Sequence, residues 1–276
     1  MYNYSVIIPY RDTYDLLLTA VASIPDRVDI QIIIIDNSER PLSLDRVPQK
    51  KQASILFLTS NPTKGAGHAR NVGLQHVQGR WIVFLDADDY FTLEAFASFD
   101  KYLNSNYDIV YFDADSIKLC DGTQSSRHQA IHHYITDYFN HHNENCLRYR
   151  FVNPCCKMIR ADLINKHNIQ FDETPVANDE MFSVKIGHNA QKITACNDVV
   201  YIITEGNNGS SLTKTKNAKN QFIRFQVAVK RYQFVTSVGQ KRQQPRLISF
   251  VAHAFLDFGV KEGIKWIKYV HKKGII

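Results

Sequence analysis

The sequence predicts an α/β fold, a mostly parallel central sheet flanked by helices, with a helical C-terminal extension. Three observations carry this expectation. Strand-like and helix-like segments alternate through the first hundred residues. The strand-like segments are short, continuous apolar runs, as strands buried on both faces require. Residues 206–276 then change to helical patterning after a Gly/Asn/Ser-rich stretch at Gly206–Ser211.

Tyr4–Pro9, Ile30–Ile35, Ser54–Leu58 and Trp81–Leu85 read as strands, being rich in β-branched and aromatic residues. Thr13–Ser23, Ser43–Lys50 and Ala66–Val77 read as the helices between them. A βαβα order implies parallel pairing, because each crossover helix returns the chain to the same end of the sheet. Asp108–Phe112 and Val199–Ile203 read as further strands, and Ala161–His167 and Asp179–Gly187 as helices. The expected organisation is a first half over 1–105, a second over 106–213 and a basic extension over 214–276. No internal repeat is visible.

The 276 residues are 44% hydrophobic, enough for a sizeable core. No apolar run reaches the roughly 18–20 residues that span a bilayer. The N-terminus lacks a basic n-region, so no signal peptide is expected. Five irregularly spaced cysteines, two of them adjacent (Cys155-Cys156), suggest free thiols in a reducing cytoplasm. The net charge of +6 is unevenly spread: the segment from Lys214 carries +12 and the remainder −6. An anionic partner for the tail is one implication. On a helix, Lys261, Lys265, Lys268 and Lys272 share a face. Val260, Ile264, Ile267 and Val270 fall opposite, with Trp266 and Tyr269 at the boundary. Two readings stand: a helix packed on the body with its lysines in water, or a helix lying in an anionic membrane interface. Nucleic acid is not expected, since no recognised motif accompanies the charge.

In an open α/β sheet, ligands bind at the carboxyl ends of the strands. Three polar clusters occupy those ends: Tyr10-Arg11-Asp12, Asp36-Asn37-Ser38 and Asp86-Ala87-Asp88-Asp89. Clustered carboxylates repel one another, and a hard divalent cation, Mn²⁺ or Mg²⁺, relieves that cost; a solvated turn is the alternative. A second Asp-Ala-Asp at Asp113–Asp115 lacks a third aspartate and is set aside as a site. Asp36 suits either hydrogen bonds to a ribose or base, or an Asx-type turn. Lys64-Gly65-Ala66-Gly67 opens a helix with small residues that allow close backbone approach and attract anions. It is neither a Walker loop nor a dinucleotide fingerprint. Asp179 suits a helix cap or a general base. The histidines between 128 and 142, with Cys146, match no closed zinc motif and read as a polar loop.

Taken together, these segments resemble family 2 of the glycosyltransferases, which have the GT-A fold, over roughly residues 4–215. Val6-Ile7-Ile8-Pro9-Tyr10 resembles the opening strand, and Asp36-Asn37-Ser38 the acidic nucleoside motif. Asn61, Gly65, Ala69-Arg70-Asn71 and Gly73-Leu74 resemble the following helix. Gly79-Arg80-Trp81-Ile82 with Phe84–Asp89 resembles the metal-binding strand end. Lys157–Arg160, Ile169–Glu173, Asp179 and Phe182 resemble the acceptor half and its catalytic helix. The sequence departs from the family's pattern at Asn178, where glutamate is common, and at Asn37 and Ser38.

The resemblance implies an inverting transfer of a sugar from a nucleotide-sugar donor, a UDP-sugar, to a hydroxyl of a saccharide or lipid-linked saccharide acceptor. Residues 1–105 would hold the donor, and 106–213 the acceptor and the catalytic base. Pro9, Tyr10, Arg11, Asp36, Asn37, Gly65, Arg70, Asp86 and Ala87 would line the nucleotide site. Asp88 would bind Mn²⁺ or Mg²⁺, and Asp179 would accept the proton. The implied setting is bacterial capsule, O-antigen or lipooligosaccharide synthesis, in the cytoplasm or on the inner face of the membrane. The rivals are a nucleotidyltransferase making the sugar nucleotide and a non-catalytic binding protein docked through its tail.

Overall fold

The computed structural model describes residues 2–206 and 217–275. The expected boundary at 213/214 and most of the Gly206–Ser211 stretch lie outside the described residues. The first strands fall where the apolar runs predict: β1 (Tyr2–Tyr10), β2 (Ile30–Asp36), β3 (Ser54–Thr59) and β4 (Gly79–Phe84). All seven residues of β2 are buried, which explains its unbroken isoleucines. Helices α1 (Tyr14–Ala22) and α2 (Gly65–Leu74) connect them as expected.

The predicted helix at Ser43–Lys50 does not form. Only one 3₁₀ turn, Leu44–Arg46, is present, with no buried residue. Pro41 precedes the segment and Pro48 lies inside it, and Leu44 is itself exposed, so little rewards helix formation.

The chain continues through β5 (Tyr90–Phe91), α3 (Ala95–Asp100), β6 (Ile109–Lys118), α4 (Gln129–His141), α5 (Asn145–Tyr149), β7 (Lys157–Arg160), α6 (Ala161–His167), α7 (Glu180–Asn189) and β8 (Ile193–Glu205). One eight-stranded sheet has the order β3-β2-β1-β4-β7-β6-β8-β5. Strands β3, β2, β1 and β4 run parallel, β7 is antiparallel to both neighbours, and β6 and β8 are parallel. The two expected halves therefore share one sheet, and β8 reaches back to pair with β5.

The His-rich stretch is a helix, not a loop. Ile131 and Ile135 of α4 are buried one turn apart. The histidines between them dilute that short pattern and hide it from a reading by composition.

Three helices form the extension: α8 (Ala218–Ser237), α9 (Leu247–Phe258) and α10 (Val260–Lys272). They share a small core of their own, with Phe225 stacked on Trp266 at 4.7 Å and Ala228, Val229, Ala254 and Val270 around them. The buried face of α10 is Gly263, Trp266 and Val270. This differs from the expected apolar face: Trp266 is at its centre, whereas Val260, Ile264 and Ile267 are exposed. No helix among the described residues is long and apolar enough to cross a membrane.

Candidate active site

The three polar clusters meet along one edge of the sheet. Tyr10 and Asp36 are register partners at the ends of β1 and β2, and Leu85 N bonds to Ile7 O just past β4. Asn37 N donates to Tyr10 O at 2.8 Å, joining the first two clusters. Pro9 is half-buried and Tyr10 buried, while Arg11 is exposed between Asp12 and Glu39.

Asp36 is fully buried. Its Oδ1 accepts from Ser38 N at 2.8 Å, and its Oδ2 from Leu42 N at 2.7 Å. The carboxylate thus folds the loop that carries Asn37 and Ser38, whichever ligand that loop faces. Asn37 Oδ1 accepts from Ser60 Oγ.

Helix α2 carries the residue that connects the clusters. Gly65, with φ +77, lets the chain turn into the helix. A Cβ on Gly67 would lie 2.2 Å from Asp172 O, so only glycine lets α2 approach the Asp172–Asn178 segment this closely. Asn71 fixes the same contact, exchanging two hydrogen bonds with the Phe171 backbone. Buried Arg70 is thereby aimed inward: Nη2 bonds to Asp86 Oδ1 at 2.6 Å and Nη1 to Asn178 Oδ1 at 3.0 Å.

Past β4, one carboxylate oxygen from each of Asp86, Asp88 and Asp89 lies within 4.8 Å of the others. Their surroundings differ. Asp89 is buried and fully engaged, receiving Tyr201 Oη and Thr204 N. Asp86 is paired with Arg70. Asp88 sits at the rim, and its carboxylate has no hydrogen-bond or ion-pair partner among the described residues; only its backbone carbonyl is held, by Thr204 Oγ1. Lost hydration and then neighbouring Asp86 raise its pKa, and Asp89 is raised by burial and its acidic neighbours. Ala87 between them is buried. An incomplete donor set crowded with like charge suits a hard divalent cation, with Asp88 as the free ligand.

Asp179 occupies the position before α7 but makes no capping hydrogen bond. The cap reading therefore fails, and the carboxylate stays available. Desolvation raises its pKa, opposed by Arg70. Beneath it lies Lys157, fully buried, donating to Phe151 O at 2.7 Å and Ser183 Oγ at 3.4 Å. Desolvation pushes this amine down to about 7, against the pull of Asp179.

The second Asp-Ala-Asp lies inside β6, across a register irregularity. Asp113 meets His132 at 2.6 Å, and Asp115 meets His128 at 3.4 Å, so a histidine in or just before α4 partners each carboxylate. The sequence reading gave no role to Tyr201, Thr204 or Lys157. The first two lie in an apolar strand that reads as core, and nothing local marks them.

A chain with this edge of carboxylates matches a family model, Glycosyl transferase family 2, over residues 5–167. The chain belongs to that family. Among solved structures, Staphylococcus aureus TarS 1–349 in complex with UDP-GlcNAc superimposes with a TM-score of 0.73 at 17% identity, over 97% of this chain and 79% of that one. The family 2 fold, GT-A, is thus shared almost end to end, including the helical C-terminal region. Curated relatives include the Escherichia coli UDP-Glc:alpha-D-GlcNAc-diphosphoundecaprenol beta-1,3-glucosyltransferase WfaP, 36% identical over 88 residues, which are 31% of this chain and 35% of WfaP. The Bacillus subtilis minor teichoic acid biosynthesis protein GgaB is 22% identical over 96% of this chain and 29% of its own length. The chain spans about a third of the length of these curated relatives.

Lys157 makes the site's electrostatics measurable. Its folded pKa of about 7 lies below the roughly 10.4 of an unfolded lysine. Between those values the unfolded chain binds more protons, so this group makes stability rise with pH across that window. Replacing Lys157 by Met should flatten that rise. The stability difference between variant and wild type, from urea unfolding, should favour the variant most below pH 7 and shrink towards pH 10. A pH-independent difference would mean that the buried amine stays charged.

Proposed function

We propose that this chain transfers a sugar, with inversion, from a UDP-sugar to a hydroxyl of a saccharide or lipid-linked saccharide acceptor in the assembly of a bacterial surface polysaccharide. The observation that carries the reading is the Asp88 carboxylate, unpartnered among the described residues, within a three-carboxylate cluster at the carboxyl end of a parallel strand, with Asp179 held near Asp86 and Arg70 of the same cleft. Relatives named for UDP-sugar transfer and teichoic acid synthesis support it.

Asp88, with its neighbours in the cluster, would hold Mn²⁺ or Mg²⁺. When bound, the cation supplies positive charge to the diphosphate leaving group. Asp36, buried and bound to Ser38 N and Leu42 N, shapes the nucleoside loop from beneath; Pro9, Tyr10, Arg11 and Asn37 border the same edge. Gly65 and Arg70 set the floor, where Arg70 holds Asp86 in place for the ribose. Asp179 takes the proton of the acceptor hydroxyl. Its raised pKa makes it a better base than an ordinary aspartate, and Lys157 beneath it favours the ionised form.

The extension gives this reading a location. Exposed Ile248 and Leu256 of α9 and Val260, Ile264 and Ile267 of α10 border the row of Lys261, Lys265, Lys268 and Lys272. An apolar strip beside a basic row suits an anionic membrane surface, where each lysine adds about 1 kcal/mol.

Three outcomes test these assignments. Asp88→Asn should reduce turnover by at least about 10²-fold. It should also abolish the rise in melting temperature that Mn²⁺ gives the wild type, a rise worth about 2.7 kcal/mol when the ion is at a hundred times its Kd. Retention of that rise would place the metal elsewhere. Asp179→Asn should lower turnover by about 10²–10⁴-fold with UDP affinity intact. Because the folded pKa is raised, wild-type turnover should fall with decreasing pH above the usual aspartate range, and the variant should lose that limb. Normal turnover in the variant would pass the role to Glu180. Finally, flotation with anionic vesicles should retain the wild type at low salt and release the Ile264→Ser/Ile267→Ser/Lys268→Gln variant. Equal flotation of both, or no wild-type binding, would remove the membrane from the proposal.

A further inference from the structure

A second concave site opens on the far side of Glu180. The cavity, about 500 Å³, lies between the catalytic half and the extension. Four guanidiniums line it: Arg150 after α5, Arg231 in α8, Arg242 in the 3₁₀ turn before α9, and Arg246 at the start of α9. They come from separate elements, so this is not one solvated helix face. Glu180 is the single carboxylate among the lining residues, 3.6 Å from Arg231 Nη1. Arg242 and Arg246 meet no carboxylate within 4.0 Å among the described residues. Arg231 is only 15% exposed, donates Nη2 to Tyr149 O and leaves a buried Nε with no acceptor.

Converging like charges repel, and a buried donor without an acceptor costs stability. The repulsion is relieved when an anion with several acceptor oxygens enters. Guanidinium forks match phosphate oxygens bidentately, and Gln244 and Tyr134 add neutral polar groups to the wall. A neutral sugar would need none of this positive charge. The donor's own diphosphate belongs with the carboxylate cluster past β4, and none of those carboxylates lines this cavity. Glu180, in contrast, follows Asp179 directly, so whatever fills the cavity lies beside the acceptor.

We infer that this cavity is a phosphate subsite for the acceptor, so that the sugar receiving the transfer is presented on a phosphate-bearing chain. The inference rests on the glycosyltransferase reading above. The phosphate could belong to a lipid diphosphate headgroup or to a polyol-phosphate polymer, and the two share the chemistry that the arginines recognise.

The test is calorimetry on the whole chain with the donor site saturated by UDP and Mn²⁺. The probes are inorganic pyrophosphate, a short-alkyl glycosyl diphosphate, a tri(glycerol phosphate) and the neutral methyl glycoside. The phosphate-bearing probes should bind at least about tenfold more tightly than the neutral one, and more weakly as salt rises. Arg242→Gln/Arg246→Gln should erase most of that difference. Both side chains are exposed, so the substitution opens no core. The tighter of the glycosyl diphosphate and the glycerol phosphate identifies the source. Equal binding of charged and neutral probes, or unchanged pyrophosphate binding in the double variant, would overturn the subsite. UDP affinity and metal-dependent donor hydrolysis report separately on the transferase reading. Their presence without pyrophosphate binding sinks the subsite alone. Their absence with pyrophosphate binding intact sinks the transferase reading, and the acceptor assignment with it.

Discussion

A buried guanidinium cannot be left unpaired, and much of this site follows from where Arg70 finds its partners. Taking the charge out of water costs several kcal/mol, offset only if its donors are met. Asp86 and Asn178 meet two of them. One comes from the end of β4 and the other from the segment before α7, so a single side chain ties the donor edge to the position of Asp179. The close approach that allows this is set by Gly67 against Asp172 O. Asn178 replaces the carboxylate common at that place in the family. Here the neutral amide meets Nη1 without adding a fifth negative charge to the cleft, and Nε stays buried without an acceptor.

The charge balance explains the remaining choices. Asp86, Asp88, Asp89 and Asp179 crowd a cleft whose nearby buried cations are Arg70 and Lys157. Asp89 tolerates burial because a phenol and a backbone amide solvate it. Asp86 tolerates it through Arg70. Asp88, at the exposed rim, has neither; lost hydration and Asp86 keep its pKa raised, opposed in part by Arg127 and Arg70. A divalent ion bound there would lower it, and metal affinity and the ionisation of Asp88 would then be linked, protons and metal competing for one carboxylate. Lys157 is tuned in the opposite sense, its charge disfavoured by burial and favoured by Asp179.

The fold was legible where periodicity is strong. The four leading strands and α1, α2 and α6 lie within a few residues of the pattern, because continuous apolar runs bounded by turn residues have one low-cost arrangement. Ser43–Lys50 failed because local helix propensity has little packing to support it, with Pro41 before the segment and Pro48 inside it. The aspartates at strand ends were legible by position, and the third aspartate ranked Asp86–Asp89 above Asp113–Asp115. The structure adds the physical reason: His132 and His128 partner the second pair, whereas the Asp88 carboxylate has no side-chain partner among the described residues. What could not be read were long-range partners. Nothing near Tyr201 in the sequence says that its hydroxyl serves Asp89, 112 residues away.

The basic tail is where a one-dimensional reading was coarsest. Its net charge suggested one partner, but folding divides the charge between two surfaces. Lys230 and Arg231 of α8 turn towards the catalytic half, where Lys230 meets Asp172 at 3.1 Å and Arg231 meets Glu180 and Tyr149 O. Arg242 and Arg246 extend that side into the cavity. Lys261, Lys268 and Lys272 lie on the exposed side of α10, whereas Lys265 turns back to Glu262 at 2.9 Å and to the Phe222 ring at 4.3 Å. Packing decides this division: burying Gly263, Trp266 and Val270 fixes the rotation of α10, and the rotation puts its lysines outside. The same packing leaves Val260, Ile264 and Ile267 without a cover. The extension is therefore first a wall packed against the half that carries Asp172 and Glu180, and any role for its outer face depends on that wall being folded.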